Sequence, residues 1–189
     1  MLPDTDIGFQ AGAQAGRALE VELIGPHLRL AGTVRLGSYL RLSDLLNLHD
    51  QTLAVADAVA MDRHGTKLGE PVPSLDLRLE TVSFVIDHSG YVPPTPPEEL
   101  DIPKKSHRLI ATTQTYVVTG TFFIYPGAEP RSYLLAYEPK WIPLTDVKAR
   151  SLVEPSIELT ADFAGLNRAA VTASSVVGGS SADGEAVPA

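Results

Sequence analysis

The feature of this sequence that most constrains its fold is an internal repeat. Residues 30–34 (Leu-Ala-Gly-Thr-Val) can be placed over residues 118–122 (Val-Thr-Gly-Thr-Phe), and both segments carry Gly-Thr within an apolar, β-prone stretch. With one extra residue in the second copy, Ser43 then matches Ser132. Matches in the same order, with insertions only at predicted turns, indicate duplication of one small structural unit. The alternative is that two β-rich stretches look alike through composition alone.

The match continues to the end of the unit. Asp57 matches Asp146 without any gap after the serines. Residues 73–77 (Pro-Ser-Leu-Asp-Leu) resemble residues 155–159 (Pro-Ser-Ile-Glu-Leu), after a shorter loop in the second copy. Four matches in one order favour two copies of a single fold.

Alternation of apolar and polar residues predicts short strands within each copy. Residues 19–23 alternate strictly, and residues 28–36 alternate around Gly32, where a bulge or sharp bend is expected. Residues 40–48 place leucines on one helical face, which predicts a single helical turn. The predicted fold class is therefore mainly β, with two tandem small bent-sheet or β-barrel units, each with one short helical turn, joined by a proline-rich linker.

The predicted boundaries follow changes in composition. Prolines concentrated before residue 104 impose extended backbone, and we favour a spacer over a docking motif for this segment. Small residues dominate the C-terminal stretch, which predicts disorder. The prediction is a flexible N-terminal segment at 1–18, a first β-barrel-like repeat at 19–88, a Pro-rich linker at 89–106, a second repeat at 107–167 and a disordered tail at 168–189.

Composition disfavours several classes of function. The 15 basic and 23 acidic residues give a formal charge of −8, which disfavours binding to a nucleic-acid backbone or an anionic membrane surface. The absence of cysteine removes disulfides, thiolate nucleophiles and cysteine-bound metals, and it fits a reducing compartment. No apolar run reaches membrane-spanning length, so we expect a cytoplasmic protein without membrane insertion.

The sequence carries no recognisable catalytic pattern. The five histidines are scattered without metal-ligand spacing, and no nucleophile elbow or phosphate-binding loop occurs. His49 and Asp50 are adjacent, which favours a solvated loop over an acid–base pair. We therefore predict no catalytic residue, no metal and no cofactor.

Part of the repeat resembles a known family. A glycine in the bent second strand (Gly32) and Asp44, Asn47 and Leu48 before the next strand are similar to the first half of the Sm motif. The spacing from Gly32 to Asp44 is longer than in that motif, its second half is missing, and the second copy lacks both the Asp and the Asn. The resemblance implies tandem Sm-like small β-barrels, as in some bacterial proteins. It would imply RNA binding, but no RNA-contacting residue can be carried over.

The first functional hypothesis is a non-catalytic protein-binding or assembly scaffold in a bacterial cytoplasmic complex. Its partners would be other proteins or a second copy, because small barrels expose strand edges that can pair. Tyr133, Tyr137 and Trp141 place aromatic residues typical of contact surfaces in the second copy. Asp57 and Asp146 lie among apolar residues, where a carboxylate is unfavourable unless it is hydrogen-bonded or paired. Each would either contact a ligand or, as we favour, accept backbone N–H bonds in a bulge or turn or pair with Arg41 or Arg131. The alternatives are Sm-like RNA or nucleotide binding and an enzyme with its site between the repeats.

Overall fold

The computed structural model describes residues 16–48, 51–92, 103–136 and 139–177. These residues form a mainly β structure, which confirms the predicted class, with two short α-helices. No helix in the described ranges has the length and apolar character needed to cross a bilayer. The strands are β1 (Ala18–Ile24), β2 (Arg29–Arg35), β3 (Thr52–Ala60), β4 (Val72–Arg78), β5 (Phe84–Asp87), β6 (Lys105–Thr112), β7 (Tyr116–Ile124), β8 (Trp141–Ser151), β9 (Glu158–Asn167) and β10 (Ala173–Val177), and the helices are α1 (Leu42–Leu48) and α2 (Pro130–Leu135).

The strands belong to one antiparallel sheet that does not close on itself. Its order is β10-β6-β7-β8-β9-β5-β1-β2-β3-β4. We call β1–β5 with α1 the first half and β6–β10 with α2 the second half. Each half has its fifth strand beside its first, followed by the second, third and fourth strands, so the repeat read from the sequence is visible in the topology. The halves join where β9 pairs with β5.

A β-bulge interrupts each half at the same place. In the first half, two residues of β3 beginning with Asp57 face the single residue Gly32 of β2. In the second half, two residues of β8 beginning with Asp146 face Gly120 of β7. Both aspartates have left-handed backbone, with φ of 50° and 51°. The bulge expected at Gly32 is confirmed, and its copy at Gly120 follows the same rule.

Close approach of the bulged strand explains the two glycines. A Cβ on Gly32 would lie 2.5 Å from Cγ1 of Val55, and a Cβ on Gly120 would lie 3.1 Å from Cβ of Leu144. Any larger residue would therefore push the second and third strands apart.

The structure corrects the last match of the repeat. Ala56 and Thr145 directly precede the two bulge aspartates and are therefore equivalent. Ala56 pairs with Ser74 and Thr145 pairs with Phe163, so Ser74 is equivalent to Phe163. Residues 73–77 therefore correspond to a stretch within β9, and their predicted match with 155–159 is wrong. Residues 155–157 precede β9 in the turn after β8, so the shared letters reflect a common preference for turn and strand residues.

The second half is longer than predicted at both ends. β6 begins at Lys105, inside the predicted linker. The predicted disordered tail contains a 3₁₀ turn (Arg168–Ala170) and β10, which pairs with β6 along its whole length. The sequence of β10 has small side chains and therefore looks like a low-complexity tail. It still forms a strand, because backbone hydrogen bonds to β6 do not depend on large side chains. Residues 1–15, 93–102 and 178–189 of the predicted N-terminal segment, linker and tail lie outside the described residues.

Each half has an apolar core, and each core includes side chains from the other half. The core of the first half includes Trp141 from β8. The core of the second half includes Ile24, Phe84 and Ile86 from the first half. Burial of each such side chain stabilises the fold by about 1.5–3 kcal/mol, so each half depends on residues of the other.

Candidate functional site: a seam and two open edges

The contact between β5 and β9, which we call the seam, is apolar and closely packed. Its pairs consist of buried residues, so water is excluded along the line where the halves meet. These pairs are Phe84 with Leu166, Val85 with Gly165, and Ile86 with Ala164.

The only two asparagines of the sequence bond across the seam in opposite directions. Asn47 at the end of α1 donates from Nδ2 to the carbonyl of Trp141 (3.1 Å) and accepts the Trp141 N–H at Oδ1 (2.8 Å). Asn167 at the end of β9 donates from Nδ2 to the carbonyls of Val82 (2.8 Å) and Leu79 (3.3 Å). Each amide therefore satisfies backbone groups that the sheet leaves unpaired.

Trp141, a predicted binding residue, lies inside this contact. Its side chain is 2% exposed and packs in the core of the first half. The α1 helix covers the same region, because a Cβ on Gly165 would lie 2.8 Å from Cδ1 of Leu46. Trp141 is thus a contact residue between the two halves and does not form part of an open surface.

Tyr133 is also packed within the molecule. Its half-buried ring stacks on Phe122, with centroids 5.7 Å apart and planes at 11°. The Arg168 guanidinium lies 5.3 Å from the ring centroid. Burial raises the pKa of the Tyr133 hydroxyl, and the charge on Arg168 opposes that rise. Tyr137 lies outside the described residues.

Asp57 and Asp146 are exposed, whereas their apolar neighbours in the sequence indicated buried carboxylates. Their position at the bulges agrees with the favoured interpretation, but the contacts that it assigned to their carboxylates are not found in the described part of the chain. Among the described residues, neither carboxylate pairs with Arg41 or Arg131, and neither accepts a backbone hydrogen bond. Four strands of the sheet lie between β3 and β8, so the two aspartates occupy separate places.

Within the described ranges, the outer strands β4 and β10 pair on one side only and leave open edges. By the equivalence of the halves, β4 corresponds to β9 and β10 corresponds to β5. The open edges are therefore the counterparts of the two strands that form the seam.

The β4 edge differs from its counterpart at the residues that make the seam fit. Where β9 has Gly165, β4 has Asp76, and where β9 has Asn167, β4 has Arg78. Pro73 adds a residue without an N–H donor. Charges and proline are the usual means of blocking an edge strand from pairing.

The β10 edge differs in another way, because its side chains are small. Where β5 has Phe84 and Ile86, β10 has Ala173 and Ser175. Leu135 at the end of α2 occupies the position of Leu46, and it is 72% exposed. The β10 edge therefore has room beside an uncovered leucine. Sequence reasoning missed this edge because β10 resembled a disordered tail.

Side chains able to hold a metal do not cluster in the part of the chain described: no group of three or more His, Asp or Glu residues has suitable geometry. No family model matches this sequence, and neither the curated proteins nor the solved structures contain a match.

Proposed function

We propose that this chain is a non-catalytic assembly module that binds another protein by adding a strand of that protein to its β10 edge. The seam is the observation that carries the proposal, because it shows how this unit accepts a strand. In the seam, β5 receives β9, and α1 covers the incoming strand through Leu46. Strand addition of this kind is a common mode of protein recognition.

The β10 edge has the parts that this mode requires. Its backbone groups are open on one side, and Leu135 stands where Leu46 covers the strand at the seam. The small residues Ala173 and Ser175 leave space for side chains bulkier than those of β9. The partner strand is therefore expected to present large apolar residues toward β10 and a small residue beneath Leu135.

A second copy of this chain fits that edge poorly. Pairing as in the seam would bring β4 of one copy to β10 of the next, with Asp76 in the place of Gly165. The carboxylate of Asp76 would then lie against Leu135, where burial without a partner is unfavourable. Head-to-tail pairing of copies is therefore disfavoured, and the proposed partner is a different protein.

Each half is interpreted as an Sm-like unit. Support comes from five strands with one short helix and from the bend at Gly32 and Gly120. RNA binding does not follow from this interpretation, because a formal charge of −8 opposes binding to phosphates.

The test combines light scattering with site-specific crosslinking in extracts of the native host. A photocrosslinking residue at Ser174 should capture one protein, and Leu135→Asp should abolish that capture. The matched control is Leu48→Asp, which changes a similarly exposed leucine (65%) at the end of α1. The chain alone should be monomeric at micromolar concentration. Self-association through β4 and β10, or capture that Leu135→Asp does not reduce, would refute the proposal.

A further inference from the structure

A cavity of about 360 Å³ opens between the two halves. The turn after β1 and the hairpin after β3 line it from the first half, and the turn after β6 and the end of β8 line it from the second. His64 Nε2 lies 3.7 Å from Oε2 of Glu154, so hairpins of the two halves meet nearby. This volume falls in the range of small-molecule sites, which begins at roughly 300 Å³.

The guanidinium of Arg29 is fixed in the wall of the cavity. Its Nε donates to Oε1 of Glu22 at 2.5 Å, and its Nη1 donates to the carbonyl of Arg63. Gly65 packs against it, because a Cβ there would lie 3.1 Å from Nη2 of Arg29. Among the described residues Nη2 has no acceptor, so a rigidly held donor is left for another group.

Two hydroxyls in the same wall also lack partners. Tyr116 is 7% exposed, and its ring packs edge-on against Phe84 with centroids 5.2 Å apart. Its hydroxyl makes no hydrogen bond among the described residues and is accessible from the cavity, whereas the Oγ1 of Thr115 is buried without a partner. The Tyr116 hydroxyl is therefore an accessible donor in the cavity wall, and only the Thr115 Oγ1 is a buried polar atom without a partner, which is uncommon in folded proteins.

Burial keeps the Tyr116 hydroxyl protonated and therefore able to donate. Burial raises the pKa of its hydroxyl, the guanidinium groups of Arg29 and Arg63 oppose that rise, and the Glu22 carboxylate adds to it. Since the pKa lies above the ordinary tyrosine value, the hydroxyl is protonated at neutral pH. Both guanidinium groups are close enough to act on this hydroxyl electrostatically.

The acids nearby are already engaged. The carboxylate of Glu22 binds Arg29 and lies 3.0 Å from Nε2 of His88. The carboxylate of Asp62 accepts the backbone N–H groups of His64 and Thr66 within its own turn, and the Thr66 bond lowers its pKa most. These acids therefore do not use the free donors of the cavity.

We propose that this cavity binds a small organic anion, with its carboxylate or phosphate oxygens held by Arg29, Arg63 and the Tyr116 hydroxyl. Charge-assisted hydrogen bonds from guanidinium groups suit both kinds of oxyanion. The apolar walls at Leu28, Met61 and Val153 accommodate the body of the ligand. Because both halves contribute donors, the ligand bridges them. The site is separate from the β10 edge and goes beyond the proposed function.

Isothermal titration calorimetry on the full chain tests this proposal with phenyl phosphate, benzoate and inorganic phosphate at constant ionic strength. One of the two aromatic anions should bind saturably with one site per chain, and the comparison shows which oxyanion is preferred. Tyr116→Phe keeps the ring packing and removes the hydroxyl, and Arg63→Gln removes an exposed guanidinium. Each should weaken binding at least about 10-fold, as expected for a hydrogen bond to a charged group.

The matched control is Arg131→Gln on α2, which should leave affinity unchanged. Thermal melting of each variant establishes that it is folded. Absence of saturable binding by every probe would overturn the proposal, as would unchanged affinity in both cavity variants or equal weakening in Arg131→Gln. Binding of the partner at β10 is measured with Leu135→Asp, so failure of one proposal leaves the other standing.

Discussion

Replacement of Asn47 by Ala tests whether the amide bonds across the seam hold the two halves together. The substitution removes the bond from Nδ2 to the Trp141 carbonyl and the bond from the Trp141 N–H to Oδ1. Each is worth about 1 kcal/mol net, and Trp141 backbone groups that lose their partner in a part-buried site add to the cost. Alanine has a higher helix propensity than asparagine, which offsets about 0.5 kcal/mol of this loss. The expected loss is therefore about 2 kcal/mol.

Urea denaturation followed by Trp141 fluorescence measures this loss directly, because Trp141 is the only tryptophan and lies at the seam. A chain of this size should melt about 4–8 °C lower for 2 kcal/mol. The control is Ser43→Ala in the same helix, whose hydroxyl makes no hydrogen bond among the described residues. If Asn47→Ala unfolds at the same urea concentration as the unmodified chain, the reasoning about the seam is refuted.

Three further predictions follow from the bulges and from α2. Gly32→Ala should lower the free energy of unfolding by about 1–3 kcal/mol, as measured by denaturation. The loss should exceed that of Gly120→Ala, because the new Cβ would lie closer to Val55 than the Cβ at position 120 would lie to Leu144. Equal losses in the two variants would contradict this explanation of the glycines. Asp57→Gly should change stability by less than about 0.5 kcal/mol, whereas Asp57→Val should cost about 1–2 kcal/mol because φ is positive; the reverse order would exclude a backbone role. Hydrogen bonding from Ser132 lowers the pKa of Glu129, so the cap of α2 should be fully formed above the ordinary glutamate pKa and lost as pH falls through the lowered value; an NMR titration of the Ser132 amide with an ordinary midpoint would contradict this.

The local features of the fold could be predicted from the sequence. Alternation predicted β1 and β2, and Gly32 predicted the first bulge, because a glycine within a strand pattern usually marks close backbone approach. The match of the two Gly-Thr pairs aligned Gly32 with Gly120, where the second bulge lies. The match of Asp57 with Asp146 was also informative, since both have the same left-handed backbone. The expectation of buried carboxylates at these positions is wrong. Reading a strand from sequence assumes that side chains alternate between the two faces, and a bulge breaks that alternation at the aspartates.

The partners of the strands could not be predicted in the same way. A strand pattern specifies which face is apolar, but it does not specify which strand lies next to it. The sequence therefore does not predict the seam, although it marks Trp141 as a contact aromatic and Asn47 as part of the Sm-like resemblance. β10 was missed because Ala173–Val177 has small side chains, and Asn167 was missed because nothing local distinguishes it from a strand-end residue.

The pairing of β5 with β9 is measured most directly by NMR cross-strand nuclear Overhauser effects in the full chain. The structure predicts contacts between backbone protons of Val85 and Gly165 and of the pairs on either side of them. Contacts from β5 to β4 in their place would mean that the first half closes on itself. That result would contradict a continuous sheet with β10 and β4 as its open edges.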